Sequence, residues 1–292
     1  MTINLIHRPS RLDPFVPGLP TVSIVIPAYN EQDTIGRCLA AALHQTVPAL
    51  EIIVVDNLST DATTEVVTRI AAAHPGRGIR LVRQNLVQGL VPTRNAGFAA
   101  ATGEVLGRID ADTMIDPDWV ERVSKRMLID DAGAVTGPVS YYDVPLAGAG
   151  HLADDLTRRF LRRLGSEYPF LYGSNMAIRA SAWRAIEHNT CLDPDDRQHE
   201  DIDVAVHLYE AGIVAAYDPR MRAGVSARRM DSAPSDFQEY TRRFGRTYDD
   251  HGISRWYLGV PQLLLRGIYW PVHLGRSWFA STRSTPREVS FA

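Results

Sequence analysis

Hydrophobic and polar positions alternate between two periods along the first half of the chain. Val22-Ser23-Ile24-Val25-Ile26-Pro27 is a β-branched run closed by proline, which predicts a buried strand ending at a loop. After Asp33, the residues Ile35, Leu39, Ala42 and Leu43 recur on one helical stripe. Glu51-Ile52-Ile53-Val54-Val55-Asp56 predicts a second buried strand. Ser59, Thr60 and Asp61 then read as a turn and N-cap for a helix through Val66, Val67 and Ile70. Residues 79–82 predict a third strand, 92–101 an alanine-rich helix stopped by Gly103, and 105–109 a fourth strand that runs into Asp110-Ala111-Asp112. The second half is more mixed. It predicts helices over 119–128, 151–164 (carrying Arg158, Arg159, Arg162 and Arg163), 181–186 and 200–211, the last ended by Gly212. Strands are expected over 134–142, 175–178 and 213–217.

Strands alternating with helices predict an α/β fold with a parallel, twisted sheet covered on both faces. Ligands of such sheets bind beyond the carboxyl ends of the strands. Three strand ends here are polar, Tyr29-Asn30-Glu31, Asp56-Asn57 and Asp110-Ala111-Asp112, and they are expected to converge on one site. The length of 292 residues suits one large domain, 21–225, after an irregular lead-in at 1–20 and before a basic, aromatic helical extension at 226–292.

Composition narrows this only a little. A 45% hydrophobic share excludes wholesale disorder, and a net charge of -3 gives no ground for a nucleic-acid partner. No run approaches the ~20 apolar residues of a bilayer span. Residues 1–19, with Arg8, Arg11, Asp13 and three prolines, lack the apolar core of a signal peptide, so a cytoplasmic protein is expected. Cys38 and Cys191 are far apart, have no metal-site spacing and read as two reduced thiols.

The polar strand ends suggest chemistry. Asp110 and Asp112, two apart on an extended segment, point the same way and can reach one hard cation, Mg²⁺ or Mn²⁺, that bridges the diphosphate of a nucleotide sugar. A D-x-D alone also occurs as a solvated turn; its place after a buried strand is what distinguishes this one. Asp56 suits a nucleobase N–H, or a helix cap. Glu200-Asp201 at a helix start suits a base that takes a proton from an acceptor hydroxyl, or the ordinary acidity of a first turn.

Taken together, the motifs resemble family-2 glycosyltransferases of the GT-A fold over about 22–217. They are Pro27-Ala28-Tyr29-Asn30-Glu31, Val55-Asp56-Asn57-Leu58-Ser59-Thr60-Asp61, Arg94-Asn95-Ala96-Gly97, Gly103-Glu104, Asp110-Ala111-Asp112, Gly173-Ser174-Asn175 and Glu200-Asp201. The resemblance implies a Rossmann-like, mainly parallel sheet, with 21–115 binding a UDP-, dTDP- or GDP-sugar and 116–225 the acceptor. It implies that Pro27, Tyr29 and Glu31 line the nucleoside pocket, that Asp56 holds the base, and that Arg94 and Ala111 belong to the donor-binding set. Asp110 would approach the ribose or the metal's outer shell, Asp112 would be the main metal ligand, and Asp201 the base with Glu200 in support or against the acceptor. One inverting displacement is implied. Two departures are plain. Asn57 replaces a second aspartate, as in relatives that use dTDP-sugars, and the Q-x-x-R-W motif of processive synthases is missing, which implies addition of a single sugar. A third metal ligand has no candidate.

Arg228, Arg229, Arg242, Arg243 and Arg246 suit a phosphate-bearing acceptor or a solvated face. In 255–279, Arg255, Trp256, Tyr257, Tyr269, Trp270, Trp278 and Phe279 flank short apolar runs. That pattern suits contact with the inner face of the plasma membrane near a saccharide or lipid-linked acceptor, or a helical pair packed on the domain or across a homodimer. A nucleotidyltransferase would need a glycine-rich loop, which 27–31 lacks; a nucleotide-sugar-binding protein without transfer is the remaining alternative.

Overall fold

The computed structural model describes residues 18–129, 131–144, 147–164, 170–254 and 256–283. Most of the expected lead-in, Arg255, and the side chains of Trp278 and Phe279 lie outside the described residues.

Strand β1 (Val22–Ala28) is buried at every position, as is β2 (Glu51–Asp56). With β3 (Ile79–Arg83) and β4 (Val105–Arg108) they form a parallel set in the order β3-β2-β1-β4. The pleat sends alternate residues to opposite layers. Ile24, Ile26, Ile52 and Val54 pack on Ile35, Leu39 and Leu43 of α1 (Ile35–Leu43) and Val67 of α2 (Thr63–Ala73). Val25, Ile53 and Val55 pack on Phe98 of α3 (Leu90–Ala100). Both faces are covered, which is why these strands read as continuous apolar runs. Each large side chain so buried stabilises the fold by about 1.5–3 kcal/mol.

Past β4 the sheet departs from the simple expectation. The short β5 (Met114–Ile115) and helix α4 (Trp119–Ile129) follow, and the segment expected as one strand over 134–142 divides at Gly137-Pro138. Its first part, β6 (Ala134–Thr136), joins the large sheet; its second, β7 (Val139–Tyr141), joins a small one. Proline has no N–H to offer a ladder, and a Cβ on Gly137 would lie 1.9 Å from the Met221 carbonyl oxygen. Helix α5 (Ala147–Leu164) spends much of its expected basic face internally: Arg158 pairs with Asp154, Arg159 with Asp155, and the Arg158 guanidinium stacks on Phe170 and Tyr172. A single 3₁₀ turn, Gly173–Asn175, opens β8 (Met176–Arg179), which runs antiparallel between β4 and β6. Helices α6 (Ala180–Ile186) and α7 (Glu200–Glu210) follow, and β9 (Ala215–Tyr217) completes a seven-stranded sheet. The small sheet is β5-β10-β7, with β10 at Ala223–Val225. Strands of two or three residues carry no readable period, so β5 and β10 had no sequence signal.

Over its described residues the C-terminal extension is helical, as expected. Helix α8 (Pro234–Asp250) begins with proline at its first turn, where no intrahelical N–H is needed. Its Phe244 and Tyr248 share a core with Ile202 and Val206 of α7 and Leu161 of α5. Helix α9 (Val260–Arg283) stacks Tyr269 on Phe237 of α8, while Leu263, Leu264, Trp270 and Leu274 stand exposed. Among the described residues no helix is long and apolar enough to cross a membrane.

Candidate active site

The turns after β1 and β2 lock each other. Asn30 and Leu58 both adopt left-handed backbone (φ 54 and 65), which asparagine tolerates better than leucine does. The Asn30 side-chain oxygen accepts from the Thr60 N–H at 2.8 Å, and the Asn30 N–H donates to Ser59 Oγ at 3.0 Å. Gln32 N–H donates to Asp61, and Glu31 N–H to Thr63 Oγ1. Ser59 and Asp61 of the second motif are thus a clamp that presents Tyr29, 48% exposed, and Glu31. Pro27, by contrast, is buried inside β1 in register with Val55.

Asn57 has a physical reason of its own. Its amide nitrogen donates to the carbonyls of Gln84 and Val87, and its oxygen accepts from the Gly89 N–H at 2.7 Å. A carboxylate could not make the two donations, so Asn57 ties down the 84–89 loop. Asp56, in register with Ala28, is buried, and its Oδ1 has no hydrogen-bond partner among the described residues.

The ends of β1 and β4 do converge. Arg228, from a 3₁₀ turn after β10, grips Glu31 with both terminal nitrogens (2.5 and 2.6 Å) and Asp112 Oδ2 with Nε at 3.0 Å. Burial pushes the Asp112 carboxyl up to about 7; the charges of Asp110 and Glu31 push the same way and Arg228 opposes them. Ala111, between the two aspartates, is buried, and Cys38 Sγ donates to the Asp110 carbonyl. One guanidinium therefore sits among three carboxylates, a cradle of hard oxygen donors that suits Mg²⁺ or Mn²⁺.

A second network adjoins it. Buried Arg108 on β4 reaches Asp110 Oδ1 at 2.8 Å and Glu200 Oε1 at 3.1 Å. The other Glu200 oxygen pairs with Arg94 at 2.9 Å. Arg94, expected in the donor-binding set, is wholly enclosed beneath the Trp183 ring and offers no surface to a ligand; it positions Glu200 from behind. Asp201 is held differently: Gly173 N–H donates to one oxygen at 2.7 Å and Ile202 N–H to the other at 2.9 Å. Burial, then the Glu200 charge, raises the Asp201 carboxyl above the usual range, with Arg108 opposing. Gly173 leaves room for the Arg108 guanidinium, which a Cβ there would meet at 1.4 Å and displace. Asn175 of the same motif is structural, bonded to Trp119 Nε1 and to the carbonyls of Pro138 and Met221.

Of the five downstream arginines, Arg243 pairs with Asp196 and Arg246 and Arg242 with Glu239, a surface pattern. Arg228 and Arg229 are exposed too, but they contact the site: Arg228 through Glu31 and Asp112, Arg229 through Tyr240. Arg229 lies 4.6 Å over the Tyr240 ring. Burial pushes the Tyr240 hydroxyl up to about 12; Arg229 opposes, and the Asp201 and Asp110 charges add to the rise. A helical tyrosine ordinarily reads as packing, so nothing in the sequence marked Tyr240. A separate cavity of about 610 Å³, lined by Arg37, Asp116, Tyr142 and His151 among others, contains none of the carboxylates described above.

The sequence profile of glycosyl transferase family 2 matches residues 23–186, and that of glycosyl transferase family group 2 matches 108–284. The chain is 38% identical over 121 residues to the succinoglycan biosynthesis protein ExoO of Rhizobium meliloti, covering 41% of this chain and 33% of that protein. It is 36% identical over 118 residues to the chondroitin synthase of Pasteurella multocida, 40% of this chain and 12% of the synthase. The chain thus matches a third or less of the length of either relative. In fold it is similar to the mannosyltransferase PcManGT from Pyrobaculum calidifontis, solved with GDP-Man and Mn²⁺ (TM-score 0.63, 22% identity, 94% of this chain and 77% of that one). It is also similar to S. aureus TarS 1–349 in complex with UDP (TM-score 0.54, 16% identity, 78% and 65%). The mainly parallel sheet flanked by helices is accordingly the GT-A fold, and with more than half of its length matched the chain belongs to glycosyltransferase family 2.

Proposed function

We propose that this glycosyltransferase moves one sugar from a nucleotide-diphosphate sugar to an acceptor hydroxyl, with inversion, in the synthesis of a cell-surface polysaccharide or glycolipid. The observation that carries the reading is the salt-bridge chain Asp110–Arg108–Glu200, which ties the carboxylate cradle to the helix turn bearing Asp201. Residues 21–115 form the donor half and 116–225 the acceptor half. Pro27 shapes the nucleoside pocket from within β1, and Tyr29 lines it. The unpartnered oxygen of Asp56 accepts a nucleobase N–H. Asp112 is the main ligand of a divalent cation, with Asp110 and Glu31 beside it; the cation would supply charge to stabilise the departing diphosphate. Arg228 releases its carboxylates and turns to the phosphates. Asp201, with a raised proton affinity and its oxygens oriented by two N–H groups, takes the acceptor hydroxyl proton as the bond from oxygen to the anomeric carbon forms and the sugar–phosphate bond breaks. Glu200 has both oxygens engaged by arginines and keeps the turn in place. The naming of relatives for succinoglycan and chondroitin synthesis supports a polysaccharide product. Nucleoside diphosphate release from UDP-, GDP- and dTDP-sugars with Mn²⁺ tests the reading. Release should depend on an acceptor and vanish in Asp201→Asn; an anomeric NMR signal retaining the donor's configuration would contradict inversion.

We further propose that the outer side of α9 rests on the inner face of the plasma membrane. Leu263, Leu264, Trp270 and Leu274 are exposed on α9, as is Trp256 in the 3₁₀ turn before it, while Tyr269 on the inner side is buried. An apolar stripe of this kind suits an in-plane segment that brings the enzyme to a lipid-linked acceptor. The full chain should co-sediment with anionic vesicles, and the Leu263→Asp/Trp270→Ser double variant should not. Equal, negligible sedimentation of both would remove the membrane role; a concentration-dependent homodimer lost in the variant would assign the stripe to self-association.

A further inference from the structure

Four side chains from three separated segments meet away from the carboxylate cradle. Cys191 lies on the loop after α6, Asp203 and His207 lie one turn apart on α7, and His251 follows the last residue of α8. One ligand atom from each falls within 4.8 Å of all the others. His251 Nε2 is 3.0 Å and His207 Nε2 3.4 Å from the same Asp203 oxygen, Oδ1. The second Asp203 oxygen accepts the Cys191 backbone N–H at 3.0 Å.

Glu210 sits 3.0 Å from His207 Nδ1. The other ring nitrogen of His207, Nε2, is buried, has no hydrogen-bond partner among the described residues and lies 3.4 Å from Asp203 Oδ1. A cation shared with His251 and Asp203 would give that buried nitrogen a partner. A thiolate, two imidazoles and one carboxylate form a ligand set of the kind tetrahedral Zn²⁺ takes. Metal bonds of about 2.0–2.3 Å put tetrahedral ligand atoms about 3.3–3.7 Å apart; the two His–Asp203 distances already lie near that range, and a pair at the 4.8 Å limit would have to close by about 1 Å. Glu210 then serves as the outer carboxylate that commonly orients a zinc-bound histidine.

We propose that Cys191, Asp203, His207 and His251 form a structural zinc site that staples the Cys191 loop and the end of α8 to α7. With all four positions filled by protein the site is closed, so its role is to fix the helix that carries Glu200 and Asp201 rather than to perform chemistry. The two cysteines gave no metal-site spacing because the ligands come from distant segments; the one local trace was Asp203 and His207 at i and i+4.

Metal analysis of the purified full chain after dialysis against Zn²⁺, together with Co²⁺ substitution, tests this. About one zinc per chain is expected, with a thiolate-to-cobalt charge-transfer band and tetrahedral d–d absorption. Cys191→Ser should lose that band. A strong zinc chelator should lower Tm by several degrees, restored by Zn²⁺ but not Mg²⁺. Asp112→Asn should keep its zinc, and loss there would overturn the assignment by placing the ion in the active site. Zinc near zero, no cobalt band and a Tm indifferent to Zn²⁺ would reduce the four residues to a hydrogen-bonded cluster. The cobalt spectrum of the unaltered protein decides the matter even where a variant does not fold.

Discussion

Glu200 and Asp201 are neighbours in sequence with opposite electrostatic settings. Glu200 is paired directly with Arg94 and Arg108, whereas the Asp201 oxygens are held by two backbone N–H groups, with burial and then the Glu200 charge raising its proton affinity and Arg108 opposing from a distance. The same contrast recurs at the cradle, where Asp112 and Glu31 share one guanidinium. On the proposed reading Arg228 occupies the place of the cation until donor and metal arrive together. Arg228→Ala should then respond to Mn²⁺ alone more strongly than the unaltered protein does, with a larger rise in Tm, because nothing competes for the carboxylates. Its KM for the donor should rise as well, since a phosphate contact is lost. An unchanged Mn²⁺ response in differential scanning fluorimetry would mean the guanidinium does not guard the metal position.

At the scale of elements, the site depends on how closely β4, the 3₁₀ turn before β8 and the start of α7 approach. Gly173 sets that spacing. Gly173→Ala would drive Arg108 from its pairs and should cost about 1–3 kcal/mol, as overpacking does, along with most of the activity. Gly245, inside α8 with open space where a Cβ would stand, makes the contrast: Gly245→Ala should be neutral or stabilise by up to about 1 kcal/mol. Urea titrations of the two variants check both signs. The junction of α7 with α8 adds a pH dependence. His199, at the N-cap of α7, has its ring between Tyr240 and Phe244; burial, and then the charge of Arg243, lowers its pKa to about 3. A free histidine titrates near ~6.5. Between these values the unfolded chain binds a proton that the folded one does not, so this contribution is complete above about 6.5 and is lost as pH falls toward 3. Moving from pH ~7.5 to ~5.5 should cost the unaltered protein about 1.4 kcal/mol more than His199→Phe. Equal losses would show that the ring is not held neutral.

Over the whole molecule, the legible part was the parallel half. Its strands are long enough to show their period, and the polar residues at their ends stand in a fixed order, so the convergence of Glu31 with Asp110 and Asp112 could be read from the chain. What could not be read was pairing at long range: Arg228 lies 197 residues from Glu31, and Arg94 lies 106 from Glu200. Nor did a motif distinguish residues that meet a ligand from those that hold the scaffold, as Asn57, Asp61 and Asn175 do. On the proposed function the cradle binds donor and cation while Asp201 acts only on the acceptor. Thermal-shift titration of UDP-, GDP- and dTDP-sugars with Mn²⁺ against the unaltered protein, Asp112→Asn and Asp201→Asn separates the two roles most directly. One donor class should raise Tm by a cation-dependent amount in the unaltered protein and in Asp201→Asn, and Asp112→Asn should lose the rise. A full shift in Asp112→Asn, or none in any protein with any of the three donor classes, would contradict it.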